Sequence, residues 1–392
     1  MIRQAVILAG GRGERLKPFT DNNPKPLYPI KNRPFIYYLF DQLLDSGIEE
    51  IVLLLGYMAS KIELVAIDYE RNRNCHIICK ITPEEYDTGA RLNHAIDSLD
   101  DEFLLLYCDN YCPINIQKAY LQFRETDVKI QVTAYSNKDS YTRNNLKSDD
   151  GLITIYDKKR QAADLNAVDI GYAFIKRETI ELMQSKNLNF EAEVYPKVVE
   201  QHKMGCYLTD HRYYSIGSWE RMKLTEAFFR DRKVIFLDRD GTLNVRPPKA
   251  QYVTDPEYFV WIENAKEAIK YLKDEGYEIY LISNQPGIAR GMMSTDQLYA
   301  VNEKMLKDLK SIGADIDGIY FCPHGWDEGC DCRKPKPGML YQAQRDHSID
   351  LTKSILIGDD ERDIEAGEAA ELMKCILVSE EYSLWDAVHD LG

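Results

Sequence analysis

The chain contains no apolar run approaching the roughly 18–20 residues that a membrane-spanning helix needs, which argues against an integral helical membrane protein. No secretory leader is expected at its start either: MIRQAVILAGGRGERL reaches glycine after one short apolar run and then turns basic. Basic residues are outnumbered, 49 Lys and Arg against 64 Asp and Glu, for a net charge of −15. That balance excludes bulk binding of nucleic acid or anionic membrane as the main business, while leaving specific small anions open. The nine cysteines are an odd number in a long chain without a leader, so they are not a disulfide scaffold. We expect a reducing, cytoplasmic setting. Internal repeats, low-complexity tracts and heptad arrays are absent as well, and 44% hydrophobic with 29% charged residues leaves no case for disorder.

At 392 residues the chain exceeds what one core can organise, since cores stop growing near roughly 250–300 residues. Short apolar runs at 5–9, 51–55, 103–108, 234–237, 279–283 and 354–357 are each followed by turn residues or an amphipathic stretch. This is the pattern of buried parallel strands alternating with helices. Helices are expected at 35–46, 218–230, 265–275 and 294–312, with Ser218 and Ser294 as N-caps and Gly47, Gly276 and Gly313 as stops. The fold class is therefore α/β in both halves. The pattern restarts after residue 230, so we expect domains at 1–230 and 231–392, closely joined because no Pro/Gly/Ser-rich linker separates them. Charge divides unequally: 30 basic and 33 acidic residues in the first, 19 and 31 in the second.

After the first strand comes Gly10-Gly11-Arg12-Gly13-Glu14-Arg15-Leu16-Lys17-Pro18, then Pro24-Lys25-Pro26. Glycines let backbone N–H groups approach an oxyanion, and Arg and Lys add charge-assisted contacts. The loop is a phosphate cradle by chemistry, but neither a Walker A loop nor the dinucleotide fingerprint, because the glycine spacing and closing residues differ. With these residues, positions 1–230 resemble the sugar-1-phosphate nucleotidyltransferases, with a Rossmann-like mixed sheet. The resemblance implies a nucleotide site at Leu8, Gly10, Gly11, Arg12, Gly13, Arg15, Lys25 and Asp109. Arg15 would grip the departing pyrophosphate, Lys25 the attacking phosphate, and Asp109 a Mg²⁺ ion. Lys158 and Asp169, in Tyr156-Asp157-Lys158 and Asn166-Ala167-Val168-Asp169-Ile170-Gly171, resemble the acceptor-binding segments, although 157–160 also reads as a solvated charge run. Three departures stand out: Glu14 in place of a small hydroxyl residue, Asp87 inside the usual Leu-Gly-Thr-Gly segment, and Ser215 in place of a second metal-binding Asp.

In the second half, Val234-Ile235-Phe236-Leu237 runs into Asp238-Arg239-Asp240-Gly241-Thr242-Leu243. Two carboxylates two residues apart at a strand end can divide the labour, one attacking phosphorus and the other serving as acid and base. Gly358-Asp359-Asp360, Ser283-Asn284-Gln285 and Arg333-Lys334 add carboxylates, donors and positive charge. This constellation resembles the haloacid dehalogenase superfamily of phosphatases. The resemblance implies Asp238 as nucleophile, Asp240 as acid/base, Ser283 and Lys334 as phosphoryl contacts, and Mg²⁺ at Asp238, the Asp240 carbonyl and Asp359. Cys322-Pro323-His324, five residues, then Cys330-Asp331-Cys332 matches a closed tetrahedral Zn²⁺ site of structural type. Cys75, Cys79, Cys108 and Cys112 lack His partners and read as buried small hydrophobes. The zinc loop resembles the branch that contains histidinol-phosphate phosphatases and D-glycero-D-manno-heptose 1,7-bisphosphate phosphatases, and Asn284-Gln285-Pro286-Gly287-Ile288-Ala289-Arg290-Gly291 resembles the heptose enzymes more closely, which implies that Asn284, Arg290 and Arg333 meet the substrate.

Both motif sets on one chain imply consecutive chemistry. The leading expectation is removal of the 7-phosphate from a heptose 1,7-bisphosphate, then transfer of GMP from GTP to the heptose 1-phosphate, for surface polysaccharide. One alternative keeps both activities on another phosphorylated sugar or polyol with CTP. Another makes the N-terminal half a non-catalytic nucleotide- or sugar-binding module. The partners implied are a nucleoside triphosphate and a sugar phosphate; homo-oligomerisation stays open.

Overall fold

The computed structural model describes every residue except 74, 185, 186 and 392. The chain divides into two compact units, Met1–Phe229 and Arg230–Gly392.

The first unit is built on a nine-stranded mixed sheet. Its spatial order is His76–Ile81, Glu50–Leu55, Gln4–Ala9, Glu102–Tyr107, Val168–Lys176, Ile130–Tyr135, Met204–Thr209, Leu152–Tyr156 and Leu146–Asp149. The first four strands are parallel, and Val168–Lys176 enters antiparallel to Glu102–Tyr107. Alternate residues of Gln4–Ala9 serve two cores: Ala5, Ile7 and Ala9 pack on one face, Val6 and Leu8 on the other. Burial on both faces explains why this strand reads as a continuous apolar run. From Gln4–Ala9 the chain winds outward through two strands and then returns to pair Glu102–Tyr107 on the opposite edge. The gap outside the strand ends at such a reversal is where open α/β sheets place ligands.

The second unit is a five-stranded parallel sheet ordered Gly318–Cys322, Tyr277–Asn284, Lys233–Leu237, Ile355–Gly358 and Lys374–Leu377. Here too the first strand lies in the middle, so the reversal falls directly beyond Leu237. Ile235 and Leu237 face one core, Val234 and Phe236 the other. Helices Ala265–Asp274 and Thr295–Ser311 end at left-handed Gly276 and Gly313, and Ser294 completes a capping box with Gln297. Ser218 occupies the N-cap of Trp219–Phe228, but its side chain makes no capping bond. No helix among the described residues is long and apolar enough to cross a membrane.

Candidate active sites

In the second unit the strand Lys233–Leu237 delivers Asp238 to the sheet reversal. Asp238 is 6% exposed, and Lys334, 4% exposed, donates from Nζ to its Oδ1 at 2.7 Å and to the Ile282 carbonyl at 2.8 Å. The same ammonium meets Asp363. Burial pushes the Asp238 carboxyl up to about 7, Lys334 opposing and Asp363 and Asp240 adding to the rise. Asp240 behaves oppositely. Burial penalises its charge too, but Arg239, with hydrogen bonds from Arg239, Gln285 and Asn244, more than compensates and holds it below the usual carboxylate range. Two carboxyls two residues apart are thus driven in opposite directions, Asp238 toward its protonated form and Asp240 toward its ionised form. Ser283 and Asn284 end the neighbouring strand Tyr277–Asn284; Ser283 Oγ accepts from Gln285 Nε2 at 2.7 Å, and Asn284 holds Lys334 through its backbone N–H and carbonyl, both at 3.0 Å.

Asp238, Asp359 and Asp363 bring one oxygen each to within 4.8 Å of one another. Gly241 has φ +104°, and a Cβ there would stand 1.7 Å from Asp359 Oδ2, so only glycine lets the carboxylate take its place. Three hard oxygen donors in a buried cradle suit Mg²⁺, which would complete its shell with water and substrate oxygens. The Asp240 carboxylate is turned away to Arg239. Asp360 is committed elsewhere, as N-cap of Glu361–Ala369 and partner of Arg362 and Arg246.

Cys322, His324, Cys330 and Cys332 likewise fall within 4.8 Å of one another, with Cys322 Sγ to His324 Nδ1 at 3.6 Å, Cys322 Sγ to Cys330 Sγ at 3.6 Å and His324 Nδ1 to Cys332 Sγ at 3.2 Å. Zn–S near 2.3 Å and Zn–N near 2.0 Å give tetrahedral edges of about 3.5–3.8 Å. The cluster fits zinc, with no position left open. Arg333 and Lys334 follow Cys332 directly, Arg333 donating to the His324 carbonyl at 3.3 Å and facing the cleft. Arg290 does not line that cleft; its guanidinium donates to Tyr252 Oη, 2.7 Å, and Tyr252 does line it.

In the first unit a pocket of about 620 Å³ opens over the glycine loop, lined by Leu8, Gly10, Gly11, Arg12, Gly13, Lys25 and Asp109 together with residues 84–88, Arg91, Tyr107 and Cys108. Lys25 meets Asp109 inside it, and Arg12 meets Glu84. Arg15 lies beside Gly217 rather than in this lining. Arg91 is one of the residues that sequence reasoning missed. It is 4% exposed beneath the loop, donating to the carbonyls of Leu55 (2.7 Å), Glu84 (3.0 Å) and Gly10 (3.4 Å). Asp87, which in the sequence is only an added charge, caps the helix Thr88–His94 through the Thr88 N–H at 2.7 Å. Glu14 pairs with Lys17, i to i+3, and does not line the pocket.

Lys158 and Asp169 form a separate group. Lys158 Nζ donates to Glu191 Oε2 at 2.8 Å, and Tyr156 Oη donates to Asp169 Oδ2 at 2.9 Å. Burial, with the nearby charge of Glu191, pushes Asp169 up to about 7. The run at 157–160 is not merely solvated: Asp157 accepts from the backbone of Lys159, Gln161 and Ala162 and closes a turn. Of the four cysteines expected to be buried, Cys112 is, and Cys75, Cys79 and Cys108 are partly so, all packed on one core.

A glycine-loop pocket on one unit and an aspartate pair beside a buried lysine on the other define a fusion of two phosphorus-handling enzymes. Residues 4–228 match the family model described as nucleotidyl transferase, and residues 233–375 the model described as polynucleotide kinase 3 phosphatase. The second unit is similar to the D-glycero-beta-D-manno-heptose-1,7-bisphosphate 7-phosphatase of Pasteurella multocida, 44% identical over 153 residues, covering 38% of this chain and 82% of the relative. It is similar also to the D-glycero-alpha-D-manno-heptose-1,7-bisphosphate 7-phosphatase of Photorhabdus laumondii, 43% identical with 37% and 82% covered. The first unit resembles the crystal structure of HddC from Yersinia pseudotuberculosis, 25% identical, TM-score 0.50, covering 58% of this chain and all of that one. The chain belongs to the nucleotidyl transferase family through its first unit and to the heptose-1,7-bisphosphate 7-phosphatase family, of haloacid dehalogenase type, through its second.

Proposed function

We propose that the chain converts a D-glycero-D-manno-heptose 1,7-bisphosphate into a nucleotide-activated heptose, with GTP as donor. The observation that carries this reading is the pairing, on one chain, of a heptose bisphosphatase relative with a nucleotidyl transferase. In the second unit the ionised form of Asp238 attacks the 7-phosphorus, the bond to the C7 oxygen breaks, and that oxygen takes a proton from Asp240, which must first turn from Arg239 and gain that proton from solvent as the substrate's negative charge enters the cleft. Asp240, ionised by then, deprotonates water; the water oxygen attacks phosphorus, inorganic phosphate leaves, and Asp238 is restored. Lys334 and Ser283 contact the phosphoryl oxygens, and Asn284, Arg333 and the Arg290–Tyr252 pair border the sugar. Mg²⁺ held by Asp238, Asp359 and Asp363 would neutralise phosphate charge, and Zn²⁺ on the cysteine cluster would pin the Arg333–Lys334 segment.

In the first unit the backbone of the glycine loop, Arg12 and Arg15 hold the triphosphate. The acceptor's 1-phosphate, held by Lys25, attacks the α-phosphorus, and pyrophosphate departs without a covalent enzyme intermediate. Asp109 is the carboxylate available to nucleotide-borne Mg²⁺, and Lys158 with Asp169 faces the sugar. A triphosphate substrate and reduced thiolates support a cytoplasmic setting. Incubation with each anomer of the heptose bisphosphate, Mg²⁺ and each of the common nucleoside triphosphates, read by mass spectrometry, tests the reading. Release of phosphate without any nucleotide-sugar product would sink it, and a CTP-only product would correct the donor.

A further inference from the structure

The donors around Asp109 do not match the family the first unit belongs to. The resemblance calls for a divalent ion between two carboxylates, and here Ser215 takes the second place. Residue 215 is well sited for that role: Tyr214–Ser215 pairs with Asn110–Tyr111, Ser215 opposite Asn110, and the Ile216 N–H donates to the Asp109 carbonyl at 3.0 Å. Its hydroxyl, however, accepts from Gly217 N at 2.9 Å and closes the turn. A Cβ built on Gly217 would stand 3.0 Å from Ser215 Oγ, 3.7 Å from Arg15 Nη2 and 3.9 Å from Asp109 Oδ2. One hydroxyl, one guanidinium and one carboxylate therefore converge, and the carboxylate already meets Lys25. Among the described residues, the groups of three or more donors able to hold a metal both lie in the second unit. This set does not fit an ion held between two protein carboxylates.

A fixed cation stands close by. Arg221 lies in the first turn of Trp219–Phe228, its Cζ 4.8 Å from the Tyr141 ring centroid and 5.4 Å from that of Tyr213, and its Nη1 donates to Tyr213 Oη at 2.7 Å. Tyr213 is 4% exposed and directly precedes the Tyr214–Ser215 ribbon strand, so the rings hold the guanidinium against the same structure that carries residue 215. Burial works against the charge of Arg221, and Tyr213, Tyr141 and Asp109 together restore it. Among the described residues no carboxylate is within ion-pair distance of Arg221. A guanidinium has five N–H donors, and among the described residues only one of these has a protein acceptor here.

We propose that Arg221 brings to the acceptor's phosphate the positive charge that a second divalent ion at position 215 would supply, leaving Asp109 as the only protein carboxylate for an ion carried in on the nucleotide. This rests on the transferase reading of the first unit. Arg15, beside Gly217, serves the polyphosphate, and Arg221 the monoester.

The test uses the full chain with its phosphatase centre loaded with Mn²⁺. A thermal-shift panel first identifies which nucleoside triphosphate binds, and electron paramagnetic resonance then counts the Mn²⁺ added with its non-hydrolysable analogue. One added ion per chain is expected. Arg221→Met should raise KM for the heptose 1-phosphate about tenfold to a hundredfold, the scale of one charge-assisted hydrogen bond. KM for the triphosphate and the phosphatase kcat/KM should stay unchanged. The double variant Ser215→Asp/Arg221→Met should take up a second Mn²⁺ and recover acceptor affinity. Two ions added to the natural chain, equal movement of both KM values, or a double variant that gains no ion would each overturn the proposal while leaving the transferase reading intact. A panel in which no triphosphate binds would overturn both.

Discussion

Replacing Asp169 with asparagine should make the first unit more stable above neutral pH and leave it unchanged in acid. Asp169 is held at about 7 against an ordinary value near 3.8, by burial first and the Glu191 charge second. Glu191 is itself 7% exposed and tied to Lys158 at 2.8 Å. A carboxyl whose folded value is raised keeps its proton in the native state while the unfolded chain has already lost it. Stability from this group is therefore complete below about pH 4 and falls as pH rises, until it is lost above about 7. Three pH units at about 1.4 kcal/mol each give roughly 4 kcal/mol as the full span. Asparagine fits the same space: its Oδ1 can still accept from the Gly171 N–H, now 2.8 Å from Asp169 Oδ1, and the Tyr156 hydroxyl can turn to accept from the new amide. The expected gain is about 2–4 kcal/mol at pH 8 and near zero at pH 4. Urea unfolding at pH 4, 6 and 8 measures it, following the transition that shifts when nucleoside triphosphate is added, which marks the first unit. Parallel pH curves for the two proteins, or a lower midpoint for the variant at pH 8, would refute the reasoning. If Asp169 also meets the acceptor's hydroxyls, the stabilised variant will have lost acceptor affinity.

Gly241→Ala places a methyl 1.7 Å from Asp359 Oδ2 at φ +104°, so phosphatase turnover should fall at least about a hundredfold with transferase activity retained, as separate assays on one preparation will show. Gly10→Ala would put a Cβ 2.4 Å from the Arg91 Cζ, which is pinned by three backbone carbonyls and cannot retreat; a loss of about 1–3 kcal/mol and a raised KM for the triphosphate are expected, read by denaturation and initial rates. Cys332→Ser should lower zinc content measured by elemental analysis and destabilise the second unit by several kcal/mol, with phosphatase activity falling as Lys334, two residues on, loses its anchor.

Residues placed by the ends of buried strands were legible in advance. Asp238, Asp109 and Ser283 each close or follow an apolar run, and a parallel sheet brings such ends together whatever the intervening chain does. The zinc cluster was legible because three thiols and an imidazole within eleven residues form a complete tetrahedral donor set on a short stretch of chain. Asp363 was not. It sits in the first turn of Glu361–Ala369, where an acid reads as helix capping, and it does form a capping box with Asp360 while also meeting Lys334 and the metal cradle. Arg91 escaped for a different reason: on a short helix it looks like a surface cation, and its partners at Leu55 and Gly10 lie 36 and 81 residues away. Arg221 is similar, because nothing local announces that Tyr141 and Tyr213 will flank it. Long side chains that reach across the fold carry no periodic signature, so only the folded structure identifies their roles.

The division of the chain at Phe229 and Arg230 has a consequence for metabolism. A single translation product delivers the two catalysts in strict one-to-one stoichiometry, so a cell cannot raise the amount of one relative to the other by adjusting expression. If the two centres act in sequence as proposed, the standing level of the dephosphorylated intermediate is set by their kinetic constants and substrate supply and not by their relative amounts. A substitution that slows one centre would change that level even though the number of enzyme molecules stays the same.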